Sequence, residues 1–179
     1  MVHVRATLSV AFVALLLAGC HSKTAATPDN FIQALNAHYL EHSECLMPDA
    51  PRFPYETSDP DKTKQMNSLV KAQLLTVAQE PSIHVSRYTA TTTGARAVPR
   101  FCYGHREITG IESFTPPVVA KGGFPETQVI YSYIIKDVPV WAKTPEVEAA
   151  FPDMAKATSG PSTGHATLAK TLVSWQFPD

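Results

Sequence analysis

Four prolines, Pro48, Pro51, Pro54 and Pro60, crowd one short stretch of this chain and divide it. Each fixes φ and lacks an amide N–H, so neither a helix nor a central strand can run through 47–60. That stretch reads as a stiff loop, and the chain as a whole carries fifteen prolines against eight glycines. Before it, Phe31, Leu35, Tyr39, His42 and Leu46 recur at three- and four-residue steps. This spacing predicts an amphipathic helix ending near Leu46, with Asp29 or Asn30 as its cap. After it, Asp59 or Asp61 can start a second helix through Leu75, with Met66, Leu69, Val70 and Leu74 as its apolar stripe.

The rest of the chain reads mainly as strands. Segments 83–90 and 100–114 are rich in β-branched and aromatic residues, with a turn at Thr91–Gly94. Segment 127–138 alternates Val129, Tyr131, Tyr133 and Ile135 on one face. Ile130 and Ile134 on the other face predict a central strand covered on both sides. Thr144-Pro145-Glu146 opens a short helix that Pro152 kinks or ends. Ser159–Gly164 reads as a loop, and 168–177 as a closing strand. Two helices, several strands, one helix and one strand predict an α+β fold, with N-terminal helices packed on a mainly antiparallel sheet of about four to five strands.

A length of 179 residues suits one domain with a tail, and 44% hydrophobic against 17% charged residues suits a folded one. The formal charge of −1 and pI near 6.6 argue against nucleic acid as a partner.

Residues 1–19 contain no acid, and 8–17 are apolar apart from Ser9. A basic start and a short apolar run describe an export signal. The stretch ends Leu17-Ala18-Gly19-Cys20, which resembles the lipobox of bacterial lipoproteins. The resemblance implies cleavage before Cys20 and lipidation (including palmitate) of that cysteine. It implies a signal peptide at 1–19, a flexible tether at 20–29 and a single domain at 30–179. His21 follows the cysteine where Asp would direct retention, so the implied location is the outer membrane, facing the periplasm. With Cys20 consumed by lipid, Cys45 and Cys102 remain, and an oxidising compartment predicts a disulfide between them.

A second resemblance covers about 61–94. Leu69-Val70-Lys71-Ala72-Gln73-Leu74-Leu75, followed by Tyr88-Thr89-Ala90-Thr91-Thr92-Thr93-Gly94, looks like the recognition helix and wing of winged-helix domains. Gln73 stands where that pattern has glycine, and Ala90 where it has leucine. The family's DNA binding does not carry over to a protein at the outer membrane.

Three groups of residues suggest chemistry. Gly160-Pro161-Ser162-Thr163-Gly164 matches the nucleophile pattern of esterases, but a Ser162 nucleophile needs a strained turn between a core strand and a helix, and neither flank fits. His38, His42 and Cys45 at i, i+4 and i+7 can hold a soft metal, although His42 also fits a core position and Cys45 the disulfide. Arg87, Arg96, Arg100 and Arg106 concentrate positive charge in what reads as one hairpin, where Glu107 is the only acid between Ile83 and Ile111. Such a patch can meet anionic lipid or an acidic protein.

The expectation is a lipid-anchored, non-catalytic envelope protein that binds a protein or envelope component, with the membrane as partner through its lipid and no cofactor. The alternatives are a small periplasmic hydrolase, using Ser162 or a Glu/His pair, and a metal-binding lipoprotein.

Overall fold

The computed structural model describes residues 22–178. Cys20 and the export-signal reading lie outside them. The fold is α+β and antiparallel, with the strands divided between two sheets. The larger has six strands: β1 (Glu44–Cys45), β5 (Cys102–Phe114), β6 (Val118–Val119), β7 (Pro125–Lys136), β8 (Ser162–Lys170) and β9 (Trp175–Gln176). Its order is β1-β5-β7-β8-β9, with β6 also on β7. The smaller has the order β2-β4-β3, from Tyr55–Thr57, Val85–Ala90 and Leu75–Glu80. One sheet of four to five strands therefore becomes two, because 83–90 pairs backward with Leu75–Glu80 and Tyr55–Thr57 and not with 100–114.

Helix α1 (Pro28–Glu41) lies on the inner face of the large sheet, with Phe31 and Leu35 fully buried. It starts earlier than the Asp29 or Asn30 cap predicts, at Thr27, which makes no side-chain capping bond. It also ends short of Leu46, because 44–45 leave the helix to pair with β5. His42 is consequently an exposed C-cap and not a core histidine. Phe31 meets Phe114 and Trp175 edge-to-face, and Val129, Tyr131, Ala166 and Leu168 complete this core.

Strand β7 is central, as its alternation predicts, but it is covered fully on one face only. Val129, Tyr131 and Tyr133 are buried, whereas Ile130, Ser132 and Ile134 are half-buried and Gln128 is exposed. The outer face carries polar pairs: Ser132 and Thr163 donate to Glu112, and Gln128 donates to Thr167.

Helix α2 (Pro60–Lys71) is capped as expected: the Asp59 carboxylate accepts from the Lys62 amide at 2.8 Å. It ends at Lys71, and Gln73 follows at φ 61°. That left-handed position, where the winged-helix pattern carries glycine, costs a residue with a Cβ about 1 kcal/mol. Met66 and Leu69 of α2 form a second core with Leu75, Tyr88, Phe101, Val147 and Met154. Val147 and Met154 belong to α3 (Pro145–Ala150) and α4 (Pro152–Thr158), and Pro152 ends one helix and starts the next.

Candidate functional site

Strand β5 alternates faces, so Arg106 points inward on the same side as Ile108, toward α1. An arginine there needs a partner, because a buried unpaired charge is strongly unfavourable. Its Nε donates to Glu44 Oε1 at 2.6 Å, with both side chains about a quarter exposed. Nη1 donates to the Tyr131 hydroxyl at 3.2 Å and to that of Tyr39 at 3.4 Å. The guanidinium carbon lies 4.8 Å from the Tyr39 ring centroid and 4.6 Å from that of Tyr133. Desolvation opposes the charge on Arg106, but Glu44 and the tyrosine hydroxyls outweigh it, and the pKa rises. Burial, then the hydrogen bond with Tyr131, pushes the Tyr39 phenol up. The Tyr39 phenol therefore stays protonated and works as a hydrogen-bonding group.

Gly164 of the esterase-like motif has a packing role here. A Cβ at that position would lie 2.4 Å from Cζ of Tyr131, so the glycine lets that ring settle against β8. Ser162 is the first residue of β8, opposite Tyr133. An extended strand replaces the strand-to-helix turn that an esterase nucleophile requires.

Tyr39 also connects this cluster to a groove of about 770 Å³ between α1 and the C-terminal segment. Asn30, Gln33, His38, His42, Trp175 and Phe177 line it. The His38 ring lies between two others, 4.0 Å from His42 and 3.7 Å from Phe177, both nearly parallel to it. Desolvation, then the neighbouring His42, lowers the His38 pKa, against an opposing effect of Glu41. The groove therefore presents stacked imidazole rings with amide groups beside them, suited to hydrogen bonds and ring stacking with a polar ligand.

The metal trio is not assembled. Cys45 is bonded to Cys102, as the cysteine count predicts, and its sulfur is no longer available as a thiolate. Among the described residues, no group of three or more His, Cys, Asp or Glu side chains could hold a metal ion. The cysteine α-carbons are 3.8 Å apart, below the 4.4–6.8 Å usual for disulfides, and the two residues are register partners across β1 and β5. The bridge therefore ties a short edge strand to the sheet, not the end of α1.

The four arginines do not form one patch. Arg87 is on β4 in the small sheet and pairs with Glu56 at 2.7 Å. Arg96 and Arg100 are exposed in the connection to β5, where Arg96 ends a single 3-10 turn. Arg106 is turned inward and ion-paired. The predicted hairpin failed because strand pairing, which local composition does not encode, sends 85–90 and 102–114 to different sheets.

Sequence reasoning missed Glu44 as the partner of Arg106 and the stacking of Phe177 on His38. The periodicity that carries the first helix to Leu46 places Glu44 inside that helix, with no sign of a strand partner. The parity of Arg106 with Ile108 is the signal that an inward charge must find a carboxylate. Nothing local in the sequence marks Phe177 as the platform for His38.

The segment expected to be a free tether is bonded to the domain from Ser22 onward. Asn30 Nδ2 donates to the carbonyls of Ser22 and Ala25, both at 2.9 Å, and the Trp175 indole donates to Ala25 at 3.0 Å. Comparison of the chain with protein-family models, curated proteins and solved structures found no match.

Proposed function

We propose that this chain is an envelope lipoprotein, anchored at the outer membrane through Cys20, whose domain binds a protein or envelope component without catalysis. The observation that carries the reading is the junction between motif and fold. Leu17-Ala18-Gly19-Cys20 is followed by one residue before Ser22, whose carbonyl already accepts a hydrogen bond from Asn30. A lipid on Cys20 would hold the domain against the bilayer, within about 7 Å of extended chain. The Cys45–Cys102 disulfide agrees with an oxidising compartment. The α1 groove, with its stacked rings and amides, is the surface best suited to a polar ligand.

The anchor is tested by Cys20→Ala in cells fed a palmitate analogue. The wild-type chain is expected to be labelled and to fractionate with outer membrane, and the variant to lose the label. A labelled, membrane-bound variant overturns the anchor. The groove is tested by a photo-crosslinking residue at Gln33, with one at Ile83 on the small-sheet hairpin as control. A partner captured at both positions alike would remove the groove from the proposal.

A further inference from the structure

The end of the large sheet where α1 begins is unusually apolar. Strand register places Val119 beside Pro125 of β7 and Lys170 beside Trp175 of β9. Two turns project beyond this row. One carries Phe124, 55% exposed, next to Val118 and Val119 at 69% and 67%. The other, between β8 and β9, carries Leu172 at 96% and Val173 at 72%. These five side chains are half of the large exposed hydrophobics among the described residues, gathered at one end of one sheet. Val118 and Val119 also line a recess with Thr115 and Glu126, and Val173 lines the α1 groove, whereas Phe124 and Leu172 stand clear of both.

The entry of the chain is at the same end. Trp175, at the base of the second turn, donates to Ala25, and Asn30 binds Ser22. The charged side chains placed here by the turns, the strand ends and the start of α1 are Lys23, Lys121 and Lys170, with Asp29 and Glu126 as acids. Cations beside apolar tips suit a surface with anionic headgroups over an acyl interior.

We infer that this end of the domain docks on a phospholipid bilayer, with Val119, Phe124 and Leu172 entering the boundary between headgroups and acyl chains. The orientation rests on the anchor at Cys20 proposed above. The acyl chains would hold the molecule to the membrane, and the two turns would fix which way it faces. The α1 groove then rises from the membrane along the helix, with His38 and His42 at its far end. The arginines of the small sheet take no part.

The test places an added indole at each end of the molecule. Phe124→Trp and Leu172→Trp sit on the turns. Val140→Trp, at an 85% exposed position beyond the other end of β7, is the control. Full-length protein is reconstituted into phosphatidylethanolamine–phosphatidylglycerol vesicles with or without brominated acyl chains. Trp141 and Trp175 contribute the same background throughout, measured on the unsubstituted protein. Bromine is expected to quench the added fluorescence about twofold at 124 and 172 and to leave that at 140 unchanged. No quenching above background at 124 and 172, or equal quenching at 140, overturns the docking. Mass analysis of the N-terminal peptide reports acylation separately. Quenched turns on a chain without acyl groups would overturn the anchor and keep the docking surface. An acylated chain with unquenched turns would do the reverse.

Discussion

At the β1 end of the large sheet, several ionisable side chains have partners. Arg106 holds Glu44, Lys136 lies 3.5 Å from Glu107, His105 lies 3.5 Å from Asp137, and the disulfide closes the edge strand. At the other end, twelve residues along β7, apolar side chains stand in solvent on two turns. The two ends are about 36 Å apart at the usual rise of a strand. The cross-link and the partly buried ion pair lie at one end, and exposed apolar side chains are gathered at the other, where the chain enters. Loop tips of a domain surrounded only by water are ordinarily polar, because apolar tips promote association. The contrast separates residues that hold the fold from residues available to a surface.

Four measurements would break or sharpen this contrast. The largest effect is expected from Cys102→Ser together with Cys45→Ser. The bridge closes a separation of 57 residues, for which the loop-entropy relation gives about 4 kcal/mol. Urea melts should show a loss of that order, and a loss below about 1 kcal/mol would mean that the β1 end does not depend on its cross-link.

Next is Arg106→Gln, which leaves Glu44 without its cation and removes the guanidinium from between two tyrosine rings. Both side chains are about a quarter exposed, so the full cost of a broken buried pair is discounted to about 2 kcal/mol. Arg87→Gln is the comparison. Its ion pair with Glu56 is roughly half-exposed on both sides, and the change in stability should stay within about 0.5 kcal/mol. Equal losses from the two substitutions would erase the distinction between an arginine built into the core and one on the surface.

The turns should behave in the opposite way. Phe124→Ser with Leu172→Ser removes two exposed side chains with no core role, and stability should change by less than about 0.5 kcal/mol. A loss of about 2 kcal/mol would show that the tips belong to the fold and are not free for a surface.

The smallest effect concerns His38. Its folded pKa lies below the ordinary 6.5, so unfolding takes up protons as the solution is acidified. Stability should be complete above the ordinary value and decline as pH falls from there toward the lowered one. Between about pH 7.5 and 5.5 the melting temperature should fall by about 1 °C more in the wild type than in His38→Gln. A melting temperature that rises on acidification through His38 would contradict the sign.

Local rules and pairwise chemistry made part of this protein legible in its sequence. Asp59 before Pro60 starts a helix because a carboxylate can accept from the amides of the first turn, and no distant contact is required. The alternation of Val129, Tyr131 and Tyr133 marks a strand with one buried face, because side chains on a strand change sides at every residue. Cys45 and Cys102 could be paired by count alone once Cys20 was assigned to lipid, and mixed helices and strands in this order imply α+β. The tertiary structure decided everything that depends on which strand lies beside which. Periodicity reports that a segment is extended and says nothing about its partner, so 85–90 and 102–114 looked like one hairpin and belong to two sheets. The same ignorance hid the partner of Arg106, since Glu44 lies 62 residues away and reads as helical until β1 pairs with β5. It also hid the gathering of Phe124 and Leu172 at one end of the large sheet, because only the register of β6, β7, β8 and β9 brings those distant turns level.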